Sequence, residues 1–269
     1  MNLRRGAAVV ALLSAAGVGL AVVVHHSSGS AKTAPSAAQS FAVEAGSLPA
    51  PEQPAFRVRA PKLLSPDETR ARFAPVARRI DARSEPSAGA RPVAPLDLRT
   101  PEGTTNIVLV VGERPRPGGL WVRVRLPVLP NDLTGWVPRR ALGGYRFVHT
   151  HLVVDRARFT ATLFRDGRKV FSAPVGVGEP ESPTPSGEFY IRDRLSGFGD
   201  PFYGPIAFGT SARSAVLTDW PAGGFVGIHG TNEPGLIPGR ISHGCIRLRN
   251  SDILRLSRLM PVGTPLTIR

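Results

Sequence analysis

From Pro95 onward the sequence repeats short apolar–polar alternations divided by turn signals, and only one stretch carries helical spacing. Leu120-Trp121-Val122-Arg123-Val124-Arg125-Leu126 alternates at period two, as a half-buried strand does, and Asn106–Val111 is a β-rich run. His149–Val154 and Phe159–Phe164 read as a hairpin around Arg165-Asp166-Gly167-Arg168, and the meander continues through Lys169–Val177. Glu188–Arg192, Phe225–His229, Cys245–Leu248 and Thr264–Ile268 read as further strands. Residues 196–224 are Gly-rich with interspersed aromatics and read as a long loop flanking a groove. Ile253–Met260 is the helix candidate, capped by Asn250 or Ser251 and ended by Pro261. No strand–helix alternation recurs, which excludes a doubly wound α/β architecture. The expected fold class is mainly β, with one or two short helices.

The first third reads differently. Arg4 and Arg5 precede an uncharged run from Gly6 to Val24, and Gly29-Ser30-Ala31 is a small-residue stretch. Residues 1–31 are therefore expected to be a signal peptide or signal anchor that places the rest outside the cytoplasm, in the cell envelope or periplasm. Residues 32–94, rich in Ala, Pro, Ser and Arg, are expected to be a largely disordered spacer, with Ser65 and Glu68 able to open a short helix. The several short strands of 95–145 are consistent with a small barrel. Their order, Trp121-Val122-Arg123-Val124 followed by Thr134-Gly135-Trp136-Val137-Pro138, resembles bacterial SH3-like domains. A second β domain is expected over 146–269.

The net charge is +14 and nearly all basic charge is arginine, because lysine occurs only at 32, 62 and 169. The arginines are spread along the chain rather than gathered into a stripe, so no nucleic-acid partner is expected. A generally basic surface suits an anionic envelope.

Cys245 is the single cysteine. Behind an export signal it cannot close an internal disulfide, so the thiol is idle or reactive. It stands in Ser242-His243-Gly244-Cys245, sixteen positions after His229. An imidazole beside a thiol stabilises the thiolate–imidazolium state, and the imidazole itself needs a third group to fix its tautomer. Glu233 is the nearest acidic residue in sequence. Gly244 permits a tight turn whose amides, with those of His243 and Cys245, can face a developing oxyanion. Arg247, two positions past Cys245, shares its strand face and can hold a carboxylate. A zinc site built from His229, His243 and Cys245 fits no common ligand spacing, so neither a metal nor a cofactor is expected.

The segment His229-Gly230 with Ser242-His243-Gly244-Cys245-Ile246-Arg247 resembles the catalytic motif of the L,D-transpeptidases. The resemblance extends over about 147–269, including Thr184-Pro185-Ser186-Gly187 and Tyr203-Gly204-Pro205. It implies a β-sandwich or barrel catalytic domain of that type. It implies Cys245 as nucleophile, His229 as base and the Gly230 carbonyl as its orienting group, with His243, Gly244 and Ser242 shaping the site. It supports Arg247 as a substrate contact, while Tyr203 and Trp220 are candidate substrate contacts whose alternative is core or loop packing. The implied partners are peptidoglycan stem peptides as donor and acceptor, and carbapenem-type inhibitors. Two alternatives stay open at this level: a cysteine hydrolase of wall peptides, acting as L,D-carboxypeptidase or endopeptidase, and a non-catalytic wall-binding protein.

Overall fold

The computed structural model describes residues 70–196, 200–217 and 224–269. The expected leader at 1–31, the Ser65 cap and Trp220 lie outside the described residues.

The first sheet contains β1 (Ala71–Pro75), β2 (Ile80–Arg83), β3 (Pro92–Leu96), β4 (Ile107–Arg116), β5 (Gly119–Arg125), β6 (Thr134–Pro138) and β7 (Arg146–Val148). Their spatial order is β3-β2-β6-β5-β4-β1-β7. The alternation read at Leu120–Leu126 has its expected consequence: Val122, Val124 and Leu126 are buried with Val108, Val110 and Val137 in one apolar cluster. The spacer expectation fails over its final stretch, because residues 71–96 supply three strands of this sheet. The prolines that made the region read as spacer are compatible with their positions. Pro92 and Pro95 lie in β3 at the sheet edge, where a missing N–H costs no ladder bond, and Pro75 ends β1. The boundary at 145/146 also moves, since β7 pairs with β1 through Arg72↔Phe147 and belongs to this sheet.

The second sheet runs from β8 (Thr150–Asp155) through β9 (Thr160–Arg165), β10 (Arg168–Pro174), β11 (Gly176–Gly178), β12 (Gly187–Ser196), β13 (Ile206–Arg213), β14 (Phe225–His229), β15 (Gly239–Ser242), β16 (Ile246–Arg247) and β17 (Pro265–Ile268). Helix α1 (Asn250–Leu259) sits between the last two strands in sequence. The spatial order is β10-β9-β8-β17-β12-β13-β14-β16-β11-β15. Strand β12 serves both halves: Gly187–Tyr190 pairs with β17 and Ile191–Ser196 with β13, with a register shift between Ile191 and Asp193. Leu152, Val154 and Phe189 from one half and Phe208, Ile228 and Ile246 from the other bury a common core, closed by Ile253 and Leu256 of α1. A sheet whose two halves share one core is a curled, sandwich-like layer.

The loop expected over 196–224 contains strand β13. Ile206, Ala207, Phe208, Thr210, Ser211 and Ala212 are all buried. A strand covered on both faces shows no alternation, and its small and polar members disguise it.

The two sheets dock through specific groups. Phe73, Ile107 and Leu109 pack with Val148 and Tyr190, and Tyr190 donates its hydroxyl to the Ile107 carbonyl at 3.0 Å. Asn131 gives its side-chain amide to the Arg213 carbonyl at 2.8 Å and accepts the Arg213 N–H at 3.0 Å, as another strand would. Arg192, 2% exposed, meets Glu102 at 2.6 Å.

Candidate active site

Strands β14 and β16 are parallel neighbours in the register Ile228↔Ile246 and His229↔Arg247. That pairing brings the end of one strand and the start of the other to one place. Gly227 marks the junction: a Cβ built there would lie 3.7 Å from Cys245 Sγ and 3.8 Å from His229 Cδ2, so thiol and imidazole both face the space that a side chain at Gly227 would enter. Both line a narrow slot of about 40 Å³, walled further by Phe202, Tyr203, Phe225 and Arg247.

The His229 ring is buried, and its Nδ1 is 2.7 Å from the Gly230 carbonyl oxygen. A carbonyl only accepts, so Nδ1 carries the proton and Nε2 holds the free lone pair. Glu233, the acidic neighbour in sequence, bonds Arg247 instead, at 3.4 Å. Tyr203 meets the imidazole edge-on with ring centroids 5.1 Å apart, and Phe202 lies at 5.9 Å. Burial, with the Arg247 charge adding to it, outweighs the Gly230 bond and pushes the imidazole down to about 4.

Cys245 as a residue is partly exposed, and its sulfur accepts the Gly227 N–H at 3.3 Å. Burial raises the thiol above its ordinary range, while the Gly227 amide and Arg247 act in the opposite direction. A raised thiol and a lowered imidazole leave both groups neutral at pH 7. The thiolate–imidazolium pair expected from sequence is therefore disfavoured by these surroundings. A nucleophilic role for the sulfur would require the thiol proton to leave as it attacks.

The turn carrying the sulfur is braced from within. The Ser242 hydroxyl donates to the Cys245 carbonyl at 2.6 Å and accepts the Gly244 N–H at 3.2 Å. This bond engages one of the three amides expected to face an oxyanion. Gly244 has φ +115°, a region that favours glycine. Buried Thr184 accepts the Gly178 N–H and donates to the Gly244 carbonyl, each at 2.8 Å, tying the turn to β11. His243 lines the slot from an exposed position.

Arg247 is 5% exposed, stacks its guanidinium 4.4 Å from the centre of the Phe202 ring, and has a buried Nε without a partner among the described residues. The structure thus gathers His229, Cys245, Ser242, His243, Arg247 and Tyr203 around one slot, with Gly230 and Gly244 in contact with these groups. Sequence reasoning did not assign Gly227, Phe202 or Phe225 to the site, and it read Asn250 only as a candidate helix cap, a position that Arg249 takes. Thr184 was visible only as part of a turn signal.

Residues 149–268 match the family defined by the L,D-transpeptidase catalytic domain. A Bacillus subtilis (strain 168) protein that carries the name L,D-transpeptidase YkuD is 36% identical over 118 residues, or 44% of this chain and 65% of that protein. An Escherichia coli (strain K12) protein named L,D-transpeptidase YbiS is 29% identical over 136 residues, covering 44% of each. The solved catalytic domain of an L,D-transpeptidase from E. faecium is 25% identical, with a TM-score of 0.34, over 45% of this chain and 96% of that one. The chain spans less than two thirds of the length of the curated relatives named here. Over residues 149–268, less than half of its length, the chain is thus similar to the L,D-transpeptidase catalytic-domain family.

Proposed function

We propose that this chain is an envelope L,D-transpeptidase that cross-links peptidoglycan stem peptides through a thioester on Cys245. The carrying observation is the junction at Gly227, where an imidazole with its Nε2 lone pair free and a thiol touched by a backbone N–H share one slot. The Cys245 sulfur attacks the carbonyl of the third stem residue, at its bond to the terminal D-alanine. His229 Nε2 takes the thiol proton as the S–C bond forms and gives it to the departing amine of D-alanine. The backbone amides of His243 and Cys245, the two of the expected three that Ser242 does not engage, stabilise the oxyanion; one such donor contributes about 3 kcal/mol in comparable holes. The amine of a neighbouring stem's third residue then attacks the thioester, its proton passes to His229, and the thiol is restored.

Arg247 supplies a buried positive charge beside the slot and binds a carboxylate of the donor stem. Tyr203 and Phe202 wall the reacting bond against water. A carbapenem, whose strained acyl group presents the same electrophile, acylates Cys245 by the same first step. The chain acts outside the cytoplasm, delivered by its N-terminal segment.

An isotopically labelled acceptor amine distinguishes transfer from hydrolysis. With donor tetrapeptide and excess labelled amine, the label is expected in a cross-linked product together with one free alanine. Free tripeptide without incorporated label would make the chain a carboxypeptidase. No turnover and no Cys245 adduct would leave a wall-binding protein.

A further inference from the structure

The peptide unit joining Gly230 to Thr231 is held on both sides. Its carbonyl oxygen accepts the His229 Nδ1 proton at 2.7 Å, and its N–H donates to Oδ1 of Asn250 at 2.9 Å. A trans peptide is planar, so fixing the direction of the N–H fixes the direction of the carbonyl opposite it. Asn250 therefore aims the group that sets the imidazole tautomer.

The setting of Oδ1 is specific. A Cβ built on Gly230 or on Gly204 would run into it, so two glycines leave the room it occupies. Gly204 follows Tyr203, whose ring meets the imidazole. Helix capping does not account for the arrangement: Arg249 stands at the cap position of α1, with no side-chain cap bond, and Asn250 is the first helical residue. Core packing does not account for it either, because Asn250 as a whole is exposed. What remains is an amide oxygen set between two glycines and bonded to the one N–H whose peptide orients the base.

We propose that Asn250 is a positioning residue for the reaction above, holding the Gly230–Thr231 peptide so that its carbonyl keeps His229 protonated on Nδ1 and unprotonated on Nε2. This inference rests on reading His229 as the base toward Cys245. A base in the wrong tautomer presents a proton where it must accept one.

The test uses the full chain with Asn250→Ala and Asn250→Asp, the second retaining an acceptor oxygen. Two quantities are measured: the rate of Cys245 acylation by a carbapenem, followed by intact mass, and the His229 ring-nitrogen chemical shifts in ¹⁵N-histidine-labelled protein. Asn250→Ala is expected to acylate about 10- to 100-fold more slowly, the range for partners that orient a functional ligand. Its His229 shifts should move from a single Nδ1–H form toward a mixture. Asn250→Asp should keep the Nδ1–H form and recover most of the rate. If Asn250→Ala does not fold, Asn250→Ser, whose hydroxyl is too short to reach Thr231, takes its place with the same expectation. Acylation at the wild-type rate would overturn the proposal, as would slow acylation in both variants with an unchanged His229 tautomer. Failure of wild type to form any adduct would instead remove the transpeptidase reading itself.

Discussion

His229 and Arg247 are register partners on the neighbouring parallel strands β14 and β16, so a buried imidazole and a buried guanidinium stand side by side at the slot. Burial is the first cause of the neutral imidazole and the arginine charge adds to it. His229 therefore remains a base well into acid. Carbapenem acylation of Cys245 is expected to lose its rate only as pH falls through about 4, the value set for His229. In Arg247→Gln the acid limb should move upward, because the repulsion is gone. Rate against pH for both proteins checks this; a wild-type limb at ordinary histidine values would contradict it.

The same shift has a consequence for stability. Folded His229 titrates near 4 against 6.5 for the free side chain, so between these values the unfolded chain binds more protons than the folded one. Stability then rises with pH across the window. The penalty is absent above 6.5 and complete below 4, amounting to about 3 kcal/mol. Urea unfolding from pH 3.5 to 7 should show this rise, and His229→Gln should remove that part of it.

Arg247 offers a buried guanidinium whose Nε has no partner among the described residues, and its Glu233 contact is long and half exposed. Removing a charge-assisted bond costs about 1.5–3 kcal/mol, so Arg247→Ala should lower kcat/KM for a stem tetrapeptide roughly 10- to 150-fold. The loss should fall mainly in KM. Arg247→Lys should recover little, because an ammonium cannot reproduce the planar fork. Steady-state kinetics on the three proteins decide it, and an unchanged KM would remove the carboxylate from Arg247.

Gly244 adopts φ +115°, and its carbonyl is held by Thr184. Alanine in that conformation costs about 1–3 kcal/mol of strain. Gly244→Ala should lower the unfolding free energy by that amount and slow acylation as the sulfur shifts. Thr184→Val, which removes both hydroxyl bonds while keeping the shape, should slow acylation with less loss of stability. Chemical unfolding and adduct kinetics on each separate the two effects.

Glu102 of the first sheet's connections meets Arg192 of β12, whose guanidinium also stacks 3.8 Å from the centre of the Phe225 ring in the slot wall. Glu102→Ala leaves a buried charge whose one remaining acidic partner among the described residues is Asp193, at 3.7 Å. Breaking such a pair costs about 3–5 kcal/mol, and Asp193 should hold the loss near the lower figure. Because both sheets share Tyr190, Asn131 and this pair, the loss should appear as a shift of one unfolding transition. Two separated transitions would show the sheets to be independent.

The legible parts of the sequence were those where one local rule dominated. Alternation at Leu120–Leu126 marked β5, and the spacing of His229, Ser242 and Cys245 marked the site. Where two rules competed, the reading failed. Prolines suited to an edge strand disguised β3 as spacer, and burial on both faces erased the period of β13. The neutral resting pair was also hidden, since proximity of His229 and Cys245 follows from the motif but the extent of their burial depends on tertiary packing. Asn250 and Gly227 act through single backbone bonds made across long stretches of chain, and no local pattern announces such bonds.

The most direct test is the intact mass of the chain after brief incubation with a stem tetrapeptide. The expected product is a thioester on Cys245 with the mass of the peptide less its terminal alanine, absent in Cys245→Ala and slow to form in His229→Ala. No adduct on the wild-type chain, an adduct on another residue, or one that retains the alanine would contradict it.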